Sequence, residues 1–201
     1  MLNPRYDHEE EIEAFLRCAA DLRYSFVDCG ANFGYWSVLA SSRPFGRQPT
    51  LAIESSPENA KRLGANALLN GDRFRWLNAA VGGQAAGFVR ITGARHEALE
   101  TLRLTENEPD AVPVVSLDSL VAGGLVDASL PVVVKLDVEG VEIEALTGAE
   151  RLRGHLRGAR IRHDAWHHAS PPRRDVAQSI CVRSQGVPVQ PSRRNQAAGF
   201  D

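Results

Sequence analysis

Asp28, Gly30, Asn32 and Gly34 occupy alternate positions in FVDCGANFGYWS, residues 26–37, where a short apolar run gives way to a helical pattern. At a strand-to-helix turn the first N–H groups of the helix point outward, and residues without a Cβ let a ligand approach the backbone. Gly30 and Gly34 would provide that approach. Asn32 stands where many nucleotide turns carry another glycine, and Asn is the non-glycine residue that best tolerates a positive φ. Asp28 would repel a pyrophosphate but welcome a cationic group or ribose hydroxyls, so the expected ligand bears a positive charge. An ordinary tight turn uses the same residue types, and the turn alone does not separate the two.

Further acidic positions sharpen the expectation. Glu54 ends the next apolar run, PTLAIES, about twenty residues past the turn, where a carboxylate can hydrogen-bond both hydroxyls of a ribose. In WLNAAVG, Asn78 and Ala79 end a strand that should neighbour the second one and would border an adenine. In VVVKLDVEGVEIEAL, Lys135, Asp137, Glu139 and Glu142 surround the end of another strand and the start of a helix. Alternation puts Val133, Lys135 and Asp137 on one side of that strand, and a lone buried ammonium is costly, so Asp28 and Asp137 are its expected counter-charges. A structural ion pair beside a helix cap is the rival reading.

These positions need a scaffold, and the hydrophobic pattern supplies one. YSFVDCG, PTLAIES and RFRWLNAAVG read as strands, and FGYWSVLASS and SPENAKRLGANALLNG as helices, the second opened by Ser56 as N-cap and Pro57. That βαβαβ order gives a parallel sheet through right-handed crossovers. Before it, DHEEEIEAFLRCAADL is an amphipathic helix over 7–21, with Ile12, Phe15, Leu16 and Ala19 on one face and Asp7 and Glu10 spaced as a capping box. Residues 82–110 form a β-rich excursion in which GFVRIT and ETLRLTENEPD read as strands. AVPVVSLDSLV and LPVVVKLDVEG are two more apolar runs, the latter a central strand, and Val138, Val141, Ala145, Ala149 and Leu152 then step at helical spacing. Trp36 and Trp76 read as core residues.

The chain has 201 residues, enough for one domain with a real core, and no apolar run approaches the ~18 residues a membrane span needs. Its amino terminus is acidic where a secretory signal would be basic, so a cytoplasmic location is expected. Cys18, Cys29 and Cys181 are odd in number and lack metal-like spacing, and read as reduced and structural. The formal net charge of −2 hides an asymmetry: residues 1–150 carry 13 Lys+Arg against 22 Asp+Glu, and residues 151–201 carry 10 against 3.

FVDCGANFGYWSVLAS, AIESSPENAKRLGANALLNG, LNAAVG, VSLDSL and VVVKLDVEGVEIEALTGAERL together resemble, in order and spacing, the FkbM family of S-adenosylmethionine-dependent methyltransferases, over about residues 24–152. The resemblance implies an α/β, Rossmann-like class I methyltransferase fold with a doubly wound, mostly parallel sheet. It also implies O-methylation of a small hydroxylated molecule such as a sugar or polyketide. Carried over, Asp28, Gly30, Asn32 and Gly34 form the cofactor turn, Glu54 binds the ribose, and Asn78 and Ala79 lie near the adenine. Methyl transfer from a sulfonium is an in-line displacement that needs a positioned acceptor and a base. Asp137 is the first choice for that base and Glu139 the second, with Lys135 in support. A divalent metal held by these carboxylates is the less favoured alternative.

The family continues past the GAERL helix into strands that finish the sheet, and here that continuation is not recognisable. The chain therefore divides into a core over 1–152 and an atypical basic tail over 153–201. The tail is rich in Arg, His, Pro, Ser and Gln, in which ARIRHDAW is a candidate strand and RRDVAQSICVRS a candidate short helix. Out-of-frame reading of GC-rich DNA would yield such a composition, and it would leave the edge of the sheet open. His163, Asp164, His167 and His168 are weak metal candidates, and no metal site is expected. Arg173, Arg174, Arg193 and Arg194 lack an aromatic platform or a recognition helix, so neither nucleic acid nor membrane is an expected partner. Two rivals stay open: a nicotinamide-dependent oxidoreductase, disfavoured by the missing G-x-G-x-x-G, and a degenerate α/β module that binds or merely scaffolds.

Overall fold

The computed structural model describes residues 10–92, 100–104, 108–138, 140–154 and 178–181. An opening helix, α1 (Glu10–Cys18), leads into strand β1 (Ser25–Cys29), helix α2 (Tyr35–Ala40), a 3-10 turn (Arg43–Phe45), β2 (Thr50–Glu54), α3 (Pro57–Leu69) and β3 (Arg75–Asn78). Short strands β4 (Ala80–Val81), β5 (Phe88–Thr92), β6 (Glu100–Leu104) and β7 (Val112–Val115) follow. Then come α4 (Leu117–Ala122), β8 (Val132–Leu136), α5 (Glu142–Thr147), α6 (Glu150–Gly154) and β9 (Gln178–Cys181).

The main sheet runs β3-β2-β1-β8-β9, with β1, β2, β3 and β8 mutually parallel, so the fold is the expected α/β, doubly wound arrangement. β1, β2 and β8 are buried at every position, as strands covered on both faces must be. Alternation divides their side chains between two cores. Phe26 and Val133 join Ile12, Leu16, Trp36 and Phe45 beneath α1 and α2. Val27, Val132 and Val134 join Leu117, Leu120, Ala145 and Leu152 beneath α4, α5 and α6. Asp28 and Lys135 share the faces of Phe26 and Val133 and are paired directly across β1 and β8. Register alone therefore sets an acid against a base inside the sheet.

A local signal explains the start of α3. Ser56 Oγ accepts from Asn59 N at 3.3 Å and Pro57 is the first residue of α3, the expected cap. The excursion read from residues 82–110 supplies β5 and β6, which join the flanking β4 and β7 in a second sheet, β4-β7-β5-β6; β5 lies antiparallel to both β6 and β7.

Several expectations are corrected. The apolar run AVPVVSLDSLV divides into β7 and the helix α4, which starts where Ser116 and Ser119 exchange hydrogen bonds in a capping box. The helix expected from Val138 onward is split at Gly148 into α5 and α6, and α1 ends at Cys18 rather than at 21, its proposed cap Asp7 lying outside the described residues. Within RRDVAQSICVRS, Gln178–Cys181 is extended rather than helical and pairs antiparallel with β8, so the outer edge of β8 is occupied there. ARIRHDAW lies outside the described residues. Trp36 is in the core, but Trp76 on edge strand β3 is 40 % exposed, its ring lying over Gly64, where a Cβ would stand 2.6 Å from it. Cys29 is buried as expected, whereas Cys18 is exposed.

Candidate functional site

The parallel register brings the carboxyl ends of β1, β2 and β8 together, and every described candidate from the sequence lies at one of these ends or at that of β3. The turn after β1 alternates through positive φ at Gly30 (74°), Asn32 (51°) and Gly34 (86°), so Asn32 does adopt the left-handed conformation. Gly30 N and Ala31 N both donate to Ile53 O at 2.9 Å, which ties the turn to the end of β2.

The lack of a Cβ at both glycines also has a use within the chain itself. A Cβ on Gly30 would stand 1.9 Å from Asp137 O, and one on Gly34 would stand 2.5 Å from Leu63 Cδ1. Both positions make room for the protein's own chain. Gly30 lets the ends of β1 and β8 touch, and Gly34 seats α2 against α3.

Asp28 is fully enclosed, so it is not presented to a ligand as the sequence suggested. Its Oδ2 accepts from Ser37 Oγ at 2.7 Å, and Lys135 Nζ lies 3.4 Å from its Oδ1. Oδ1 accepts no hydrogen bond among the described residues, which leaves a buried carboxylate oxygen only partly compensated. Lys135 Nζ also lies 3.4 Å from Asp137 Oδ2 and donates to Gly30 O at 3.4 Å. One buried ammonium thus holds the glycine turn, a buried acid and a half-exposed one. The Asp137 side chain is 43 % exposed, the acid of this group that solvent or a substrate can reach.

Glu54, only 7 % exposed, accepts from Asn32 N at Oε2 and from Ser56 N at Oε1, both at 2.8 Å. Burial raises its carboxyl above the usual range; the two backbone donors oppose that shift, Asp28 adds to it and Lys135 subtracts. Asn78 Nδ2 donates to Glu54 O at 2.9 Å, so its amide braces the end of β2. Ala79 is buried in the main core, and its N–H also reaches Glu54 O at 3.1 Å. Glu142 accepts from Gly140 N and closes its own turn. Glu139 lies outside the described residues, as do His163, Asp164, His167 and His168. Burial, reinforced by Asp28, pushes the Cys29 thiol far up, so it is no nucleophile. Among the described residues no three His, Cys, Asp or Glu side chains could hold a metal ion, and no helix is long and apolar enough to cross a membrane.

Ser37 is the residue the sequence reading missed. Its spacing of nine from Asp28 carries no signal until α2 folds back over β1. A cavity of about 170 Å³ lies at the opposite end of the sheet, lined by Ser25, Thr50, Arg75 and Asp127, away from these carboxylates.

No curated protein matches the chain. Among solved structures it is similar to a methyltransferase FkbM from Methylobacillus flagellatus KT (23 % identity, TM-score 0.44), over 65 % of this chain and 31 % of that one. It is also similar to the C-terminal domain of precorrin-6Y C5,15-methyltransferase from Rhodobacter capsulatus (16 % identity, TM-score 0.39, 90 % and 88 % covered). A third is P. horikoshii TYW2 in complex with MeSAdo (16 % identity, TM-score 0.32, 70 % and 50 % covered). The chain thus spans about a third of the length of the FkbM structure it matches. The profile of the methyltransferase FkbM domain matches residues 28–160, taking in the glycine turn, Glu54 and the Lys135–Asp137 junction, and the chain belongs to that family.

Proposed function

We propose that the protein is an S-adenosylmethionine-dependent methyltransferase that methylates a hydroxyl of a small molecule. The observation that carries this reading is the charge balance at the strand ends. Asp28, Glu54 and Asp137 converge there around a single ammonium, Lys135, an arrangement that suits a cationic sulfonium and disfavours a diphosphate. The positive-φ turn fits such a ligand on the same side of the sheet. Family membership supports the cofactor class.

When bound, the cofactor supplies an electrophilic methyl group. The chain's own part is to hold the turn through Glu54 and Lys135, to seat the acceptor hydroxyl beside Asp137, and to take up its proton at the Asp137 carboxylate as the new C–O bond forms. A base of this kind contributes on the order of 10²–10⁴-fold. Transfer of labelled methyl from S-adenosylmethionine to a panel of sugars and polyketide alcohols tests the reading. Methylated alcohol is the expected product, and Asp137→Asn should lower kcat by about that factor while cofactor affinity holds within a few fold. Absence of any calorimetric binding of S-adenosylmethionine or S-adenosylhomocysteine would remove the reading. Metal-assisted deprotonation is the disfavoured variant, and chelator-insensitive turnover is its expected refutation. We place the protein in the cytoplasm, with a small hydroxylated acceptor as its partner and neither nucleic acid nor membrane.

A second reading, a cofactor-binding module without catalysis, is favoured by the enclosure of Asp28. Binding without turnover on the whole acceptor panel would establish it.

A further inference from the structure

Glu54 was read as a ligand contact, yet the structure gives its carboxylate to the protein first. Oε2 receives the N–H of Asn32 in the glycine turn and Oε1 the N–H of Ser56 at the start of α3, each at 2.8 Å. Its backbone carbonyl receives the Ala79 N–H at 3.1 Å and the Asn78 amide at 2.9 Å. One residue at the end of β2 therefore binds the chain segments that leave β1, β2 and β3. Asn32 needs such a tether: it is a non-glycine residue at φ 51°, a conformation that costs free energy unless its surroundings over-determine it.

We propose that Glu54 is the positioning residue of the glycine turn, its carboxylate holding Asn32 in the conformation that accepts the nucleoside whether or not it also touches the ribose. This rests on the cofactor reading above only for the identity of the nucleoside. The tether is a property of the chain alone. The charged and polar groups facing Glu54 are Asp28 on β1, Lys135 on β8, Asn32 in the turn, Ser56 at the cap of α3 and Asn78 on β3. The backbone donors and Lys135 favour the carboxylate, whereas burial and Asp28 favour the neutral acid. The tether is strongest with Glu54 ionised, and acidification weakens it.

The test compares the full-length protein with Glu54→Gln and Glu54→Ala. Amide exchange without ligand is read first. Glu54→Ala removes both acceptors and should speed exchange at Asn32 and Ser56 about tenfold, the loss of roughly one charge-assisted bond each. Glu54→Gln keeps one acceptor oxygen and should release one of the two amides. Binding is read second, with adenosine and with 2′,3′-dideoxyadenosine as probes. A positioning role predicts that Glu54→Gln weakens both probes by a similar factor. A role confined to the ribose predicts a loss for adenosine alone. Unchanged exchange at Asn32 in Glu54→Ala, or a Glu54→Gln penalty that vanishes with the dideoxy probe, overturns the proposal. If wild-type protein binds neither probe nor S-adenosylhomocysteine while the Asn32 amide still responds, the cofactor reading falls and the tether stands.

Discussion

Glu54 is held against its own electrostatics. Because its folded-state carboxyl is raised above the unfolded value, the stability it contributes is present below the unfolded pKa and lost as pH rises through the folded one. At neutral pH the protein lacks that contribution, and a neutral isostere escapes the cost. Glu54→Gln is therefore expected to melt at or above the wild-type temperature at pH 7 to 8, the difference shrinking toward acidic pH, even as the turn loosens locally. Thermal melts across that range check the sign. Lys135 presents the opposite case. With Asp28 and Lys135 both almost wholly buried, Lys135→Met leaves an uncompensated carboxylate and should cost about 3–5 kcal/mol in urea unfolding. The double change Lys135→Met with Asp28→Asn removes both charges and should recover most of it.

At the scale of elements, the ends of β1 and β8 are packed backbone to backbone. Gly30→Ala would force a Cβ to within 1.9 Å of Asp137 O at a residue with φ 74°. The left-handed conformation alone costs about 1–2 kcal/mol, and relieving the contact must part β1 from β8. The expected result is a melting temperature lower by several degrees together with weakened S-adenosylhomocysteine binding. The control is Gly71→Ala, which also has positive φ but nothing within 4 Å of the added Cβ, and it should cost the conformational strain alone. The contrast separates backbone strain from the closeness of the two strands.

Across the whole molecule, the main sheet is parallel except for β9, which returns from the basic carboxyl-terminal region to pair antiparallel with β8, Val134 opposite Ile180. An unpaired edge of β8 would template association with other chains. Ile180→Pro cannot supply its backbone donor and should lower the melting temperature and produce concentration-dependent self-association on size-exclusion chromatography. We keep the division into a core over 1–152 and a distinct tail as a proposal. Equal proteolytic resistance of tail and core would remove it.

The strand and helix order of the core, the cap at Ser56 and the left-handed Asn32 were legible in the sequence, because alternation, cap chemistry and tolerance of positive φ are local properties. So was the pairing of Lys135 with Asp28 and Asp137, since an ammonium in an apolar strand has few ways to be neutralised. The tertiary structure alone decided what each of these groups faces. Gly30 and Gly34 turned out to admit β8 and Leu63, Asp28 to be sealed beneath Ser37, and Glu54 to bind Asn32 before any ligand. Those outcomes depend on which residues distant in the chain meet at the strand ends. A sequence pattern specifies the conformation a residue can adopt, and only strand order and register specify its neighbours.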